Sequence, residues 1–204
     1  IAAMARENNP DLIIVDRSVH GRYENYQTPE QQVPDSLLPY PWETCMSMGD
    51  SWSYVQTDNY KSTNQLVHLL VDVVAKGGNY LLNVGPGPDG NLPATAISRM
   101  REIGAWMQAN GEGIYGTRPI YPYVDGKFRF TQKGDKVYAI YLLDEGESLP
   151  ETLTFDAAFP LKNGKVKILG SKEKAMLKKV DGCYQITTKG VENTLHAVVF
   201  EMRK

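Results

Sequence analysis

The residues with the most chemistry to offer crowd into the early part of the chain. Arg17, His20, Glu24 and Glu30 are interleaved with Tyr23 and Tyr26, and Trp42-Glu43, Trp52 and Tyr54 follow. Aromatic faces pack on the C–H face of a sugar ring, and a guanidinium offers fixed donors to its hydroxyls. Two carboxyl groups, one of them protonated, can flank a scissile glycosidic bond. The same residue types also fill ordinary cores, so composition alone leaves both readings open.

Other chemistries find little support. The 204 residues carry a formal charge of -2, which gives no electrostatic case for nucleic acid or an anionic membrane. The richest apolar run, Leu66 to Ala75, is broken by His68 and Asp72 and falls short of the roughly 20 residues that span a bilayer. Cys45 and Cys183 have no neighbours at metal-ligand spacing and read as two unpaired thiols. No metal or cofactor is expected. The glycines of Gly85-Pro-Gly-Pro-Asp-Gly90 alternate with prolines, which remove the amide donors a phosphate nest needs, so this is read as a rigid rim loop.

Elements that could position these groups differ between the two halves. Residues 1–122 carry 8 basic and 13 acidic side chains, residues 123–204 carry 14 and 11, and the proline-broken stretch Arg118 to Tyr123 suits a junction between two domains. In the first half, Leu12 to Val15 reads as a buried parallel strand ending in Asp16-Arg17, followed by a long loop from His20 to Glu30. Trp42 to Met48 is a second strand candidate, with alternation placing Trp42 and Glu43 on opposite faces. Ser62-x-x-Gln65 forms a capping box that opens a helix, and Gly77-Gly78 closes it. Tyr80 to Val84 predicts a third buried strand, and Ala94 to Asn110 a second helix. The second half reads as all-β: a hairpin from Lys127 to Tyr141, then strands at Thr152 to Phe155, Val166 to Leu169, Tyr184 to Thr187 and His196 to Phe200. Lys172 to Lys179 reads as a solvated turn or strand edge, and His68 and His196 as structural.

The order of motifs narrows the function. Val15-Asp-Arg17, Thr28-Pro-Glu30, Pro41-Trp-Glu-Thr-Cys-Met46, Asp50-Ser-Trp-Ser-Tyr54, Leu70 to Asn79 and Leu81-Leu-Asn-Val-Gly-Pro86 resemble glycoside hydrolase family 29, the retaining α-L-fucosidases. Ile114-Tyr-Gly-Thr117 and Arg129-Phe-Thr-Gln132 resemble that family's passage from barrel to sandwich. The resemblance implies α/β plus all-β architecture: residues 1–122 the C-terminal half of a (β/α)8-like TIM barrel, residues 123–204 a small antiparallel β-sandwich. It implies Glu30 as general acid/base with Glu24 as rival, Arg17 as a sugar-contacting cation, and Trp52 as an aromatic wall against the 5-methyl of fucose. Trp42, Glu43 and His20 complete the substrate-side candidates.

No segment matches the family's aspartate-nucleophile motif, so the nucleophile and the N-terminal barrel half are expected upstream, in the same parent protein or another chain. The expected partners are therefore that missing half and a fucosylated glycan or small fucoside; the resemblance suggests a secreted, periplasmic or lysosomal setting, which the sequence itself leaves open. Residues 1–122, with open sheet edges and an uncovered inner layer, are not expected to be stable alone as a monomer. Two other readings stand beside the fucosidase: a non-catalytic carbohydrate-binding or interaction fragment, and a related glycosidase acting on another sugar.

Overall fold

The computed structural model describes residues 1–15, 17, 21–191 and 195–204. Helix α1 (Ala2–Asn8) leads into parallel extended stretches lying side by side. Val15 bridges Tyr26, Gln27 bridges Trp42 and Glu30 bridges Cys45, all in parallel sense. Strand β1 (Glu43–Ser47) then pairs in parallel with β2 (Asn79–Asn83), from Glu43 opposite Asn79 to Ser47 opposite Asn83. The order 12–15, 26–31, β1, β2 is the C-terminal half of a (β/α)8-like barrel.

The two barrel strands are joined by α2 (Thr63–Ala75). Ser62 Oγ accepts from Gln65 N at 3.2 Å, and the Gln65 side chain accepts from Ser62 N at 2.9 Å, so the predicted capping box is complete. At the other end Gly77 adopts φ +79°, Gly78 N donates to Val73 O and Gly77 N to Val74 O. This is a Schellman stop, and it needs a residue free to enter the left-handed region. The apolar circumference of α2 is covered on two sides. Leu66 packs with Met48 and Ala96 under the barrel strands, while Val67 and Val71 join Tyr138, Ile140 and Val199 of the second half.

Helix α3 (Ala94–Asn110) and a short 3-10 turn lead into β3 (Arg118–Asp125). Strands β4 (Phe128–Lys133), β5 (Lys136–Leu142), β6 (Thr152–Phe155), β7 (Gly164–Ile168), β8 (Lys174–Val180), β9 (Cys183–Thr187) and β10 (Ala197–Arg203) complete an antiparallel sheet in the order β3-β4-β5-β10-β7-β8-β9-β6. The sheet curls on itself. Phe155 of the edge strand β6 reaches Phe128 and Phe130 of β4, with ring centroids 5.0 and 5.2 Å apart. An aromatic core thus closes the two layers of the sandwich.

Three expectations change. Leu12 to Val15 is not a buried strand: only Val15 makes a bridge, and Ile13 is 68% exposed. A parallel strand is buried by neighbours on both edges and cover on both faces, and among the described residues the stretch 12–15 has a neighbour on one edge. Strand β2 forms as predicted but is half-open, with Leu81 44% exposed on the inner face. The lysine-rich stretch is neither a turn nor an edge. As β8 it pairs with both β7 and β9, sending Ala175 and Leu177 into the core and Lys174, Met176 and Lys178 outward. The prolines of Arg118 to Tyr123 lie within β3, on the sheet edge where a missing amide donor is tolerated.

The half-barrel and the sheet are tied by an ion cluster. Asp72 of α2 pairs with Arg129 of β4 and with Lys76 Nζ at 2.9 Å, and these side chains are only 10–19% exposed. Arg129 also donates to the carbonyls of Gly126 and Phe128.

Candidate active site

Strand alternation decides which β1 side chains face the barrel interior. Thr44 and Met46 are buried beneath the outer layer, and Trp42 is 1% exposed. The Trp42 indole donates to Lys76 O at 3.1 Å at the end of α2, and its ring lies over Gly78. Glu43, Cys45 and Ser47 therefore share the opposite, inner face. Trp42 and Glu43 do lie on opposite faces, and it is Glu43 that faces inward, half-exposed.

Above that face sits a charged pair. Arg17 Nη2 lies 3.3 Å from Glu30 Oε2, and Arg17 Nη1 lies 3.8 Å from Cys45 Sγ. Contact with the Cys45 sulfur, then the charge of Glu30, pushes the pKa of the guanidinium up. Arginine is a cation at any working pH in any case. Glu30 is held through its backbone rather than by a loop of its own. It bridges Cys45, Gln31 N donates to Cys45 O at 2.9 Å, and Glu43 N donates to Gln27 O at 2.9 Å. The segment that the sequence suggests is a long loop thus ends as an extended stretch laid along β1.

The beginning of that segment is stitched to the preceding one. Arg6 Nη2 donates to Tyr23 O at 2.9 Å and to Asn25 Oδ1 at 2.7 Å, and Asn25 Oδ1 also accepts from Ile14 N. Glu24 accepts from Gln27 Nε2 at 3.4 Å and is half-buried. Among the described residues, Arg17 pairs with Glu30. Asp16 and His20 lie outside the described residues.

The loop after β1 carries Trp52. Trp52 is 42% exposed, and its carbonyl accepts from Asn83 Nδ2 at 2.8 Å, at the end of β2. The Asp58 carboxylate closes the loop by accepting from the amides of Asp50, Ser51 and Asn59. Gly85 lets this loop approach the next one: a Cβ there would stand 2.4 Å from Tyr54 N. Trp52 and the Arg17–Glu30 pair thus belong to the segments at the carboxyl ends of neighbouring parallel strands, where such folds gather reactive groups. Cys45 and Asn83 were not singled out from the sequence. The signal for Cys45 was present, two residues from Glu43 on the same strand face. Among the described residues, no group of His, Cys, Asp and Glu is placed to hold a metal ion, and no helix is long and apolar enough to cross a membrane.

Comparison with known proteins fits this arrangement. Residues 1–112 match the family model of alpha-L-fucosidase. The chain is 39% identical over 132 residues to plasma alpha-L-fucosidase of Rattus norvegicus, covering 60% of this chain and 28% of that protein. It is 32% identical over 157 residues to tissue alpha-L-fucosidase of Macaca fascicularis, covering 74% of this chain and 32% of that one. Among solved structures, alpha-L-fucosidase isoenzyme 1 from Paenibacillus thiaminolyticus superposes with a TM-score of 0.85 at 27% identity, covering 99% of this chain and 52% of that one. Thermotoga maritima alpha-fucosidase in complex with fucose gives 0.79 at 30% identity, over 98% and 47%. The chain therefore spans about half the length of these solved relatives, and its matched part covers less than a third of the rat protein. With its motifs in the family's order, its half-barrel and sandwich superposed on solved fucosidases, and more than half of its residues matched by the family model, the chain belongs to the α-L-fucosidase family.

Proposed function

We propose that this chain supplies the acid/base side of a retaining exo-α-L-fucosidase that removes terminal α-L-fucose from glycans or small fucosides by double displacement. The observation that carries the reading is the pairing of Glu30 with Arg17 over the inner face of the half-barrel. In this reading the Glu30 carboxyl protonates the departing glycosidic oxygen, and its carboxylate then takes a proton from the water that releases the sugar. Arg17 donates to the sugar hydroxyls or to the nucleophile carboxylate. Trp52 stands against the fucose methyl, Glu43 contributes from the inner face, and His20 lines the mouth. The nucleophilic aspartate comes from the part of the barrel not present in these residues, its carboxyl about 5–5.5 Å from that of Glu30.

The test is Glu30→Ala in the enzyme with a complete barrel, assayed on fucosides of differing leaving groups. Activity on a poor leaving group should fall about 10²–10⁴-fold, with a smaller loss on a nitrophenyl fucoside and partial rescue by azide. Undiminished activity on the poor leaving group would remove Glu30 from this role, and the same substitution at Glu24 would then identify the rival. Nitrophenyl galactoside beside nitrophenyl fucoside separates a fucosidase from a glycosidase acting on another sugar.

A further inference from the structure

The residue after Glu30 has an unusual backbone. Gln31 adopts φ +55°, in the left-handed region that side-chain-bearing residues other than Asn and Asp seldom occupy. Such a conformation persists where its surroundings over-determine it. Here the surroundings are specific. Gln31 N donates to Cys45 O at 2.9 Å, so the turn begins while the chain is still paired to β1. The side chain then folds back on the last residue of that strand: Nε2 donates to Ser47 Oγ at 3.0 Å, and Oε1 accepts from Ser47 N at 3.4 Å.

Ser47 is itself fixed. It is 1% exposed, its hydroxyl donates to Gly49 O, and its carbonyl accepts from Lys61 Nζ at 2.8 Å, just before α2. The amide of Gln31 is thus a two-point clamp between the segment bearing Glu30 and a buried end of β1. No other part of the proposed reaction uses it. Its geometric effect is to end the extended stretch one residue past Glu30 and leave the carboxylate where Arg17 meets it.

We propose that Gln31 is a positioning residue for the acid/base carboxylate: its clamp on Ser47, made possible by the left-handed turn, sets the reach of Glu30 toward the glycosidic oxygen. The inference rests on the acid/base reading of Glu30. A proton donor displaced by a fraction of an ångström loses most where the leaving group needs protonation, and little where the leaving group departs unaided.

The experiment compares Gln31→Ala with the parent in the enzyme with a complete barrel, using methyl and nitrophenyl α-L-fucosides and full pH–rate profiles. We expect kcat/KM on the methyl fucoside to fall about tenfold or more, activity on the activated fucoside to stay within about twofold, and the basic limb of the profile to move. In a Glu30→Ala background the same change should cost nothing further, because Gln31 acts through Glu30. Equal losses on both substrates, no loss on either, or full additivity with Glu30→Ala would overturn the proposal. Should Gln31→Ala not fold, Gln31→Asn gives the same readings, since Asn tolerates the left-handed backbone but falls a methylene short of Ser47. If Glu30→Ala alone keeps its activity on the methyl fucoside, the acid/base reading is what fails, and the positioning role falls with it.

Discussion

Arg17 Nη2 and Glu30 Oε2 lie 3.3 Å apart, yet the two side chains remain 54% and 48% exposed. An ion pair so open to water adds little to folding, because solvent and salt screen it and two long side chains must be ordered to make it. Its value lies in holding a fork of donors and a carboxyl group at one place. Arg17→Ala in the complete enzyme should therefore lower kcat/KM about 10- to 100-fold, the loss of one charge-assisted hydrogen bond to substrate or carboxylate, while leaving the thermal midpoint almost unmoved. Arg17→Lys should restore little, since a point charge does not reproduce the planar fork. A midpoint that drops in step with activity would show that the pair is structural.

Gly85 gives a second, sharper test of the rim. A Cβ at this position would meet Tyr54 N at 2.4 Å and Ser53 C at 2.6 Å, both backbone atoms that cannot swing away. Gly85→Ala must push the loop carrying Trp52 off the end of β2, where Asn83 now holds it. A cost of about 1–3 kcal/mol in denaturant unfolding is expected. A raised KM for fucosides should accompany it if Trp52 forms the aromatic wall. Unchanged stability and KM together would mean that the two loops adjust independently.

These relationships differ in how far the sequence announces them. Helices α2 and α3 are legible because their signals are local: Ser62 and Gln65 lie within one turn, and Gly77-Gly78 and Gly111 mark the stops. The β4–β5 hairpin is legible for the same reason, with Gly134 at its turn. Strand β8 is not, because Lys174, Lys178 and Lys179 outweigh the two core residues Ala175 and Leu177 in any composition-based reading. The extended stretch ending at Glu30 is equally hidden, since its order comes from pairing with Trp42 and Cys45, residues 15 positions away. The candidate site follows the same rule. Arg17 and Glu30 could be named from motif order, and alternation puts Cys45 on the face of Glu43. The meeting of Arg17 with Cys45 and the clamp of Gln31 on Ser47 depend on contacts that no spacing reveals.

Breaking the cluster that joins α2 to β4 should weaken the seam. Asp72 neutralises Arg129 and Lys76 with all three side chains mostly removed from water. Asp72→Ala would leave two cations facing each other without their acceptor. Arg129 keeps its bonds to two carbonyls, which moderates the loss. We expect about 2–3 kcal/mol in urea unfolding, and a double-mutant cycle with Arg129→Ala should show clear coupling. Independent, additive effects would mean that the contact contributes nothing as a pair.

Acid sensitivity should have an identifiable local source at Glu112. The hydrogen bond from Lys136, joined by one from Tyr138 at 3.1 Å and by the charges of Lys136 and Lys167, draws this carboxyl down from the usual 4.5 to about 2. A pKa depressed in the folded state stabilises the fold above the unfolded value and loses that contribution as pH falls through the folded one. The window is therefore from about 4.5 down to about 2. The Glu112 side chain is 38% exposed, so screening trims the effect and its sign is the firmer quantity. Thermal midpoints of the parent and Glu112→Gln should differ at pH 6, converge progressively below 4.5 and meet near 2. Asp144 and Glu147, both held down chiefly by hydrogen bonds from Lys127, give the two proteins a common acid limb. Only the difference between the curves reports on Glu112, and a gap that stayed constant through the window would assign the acid loss elsewhere.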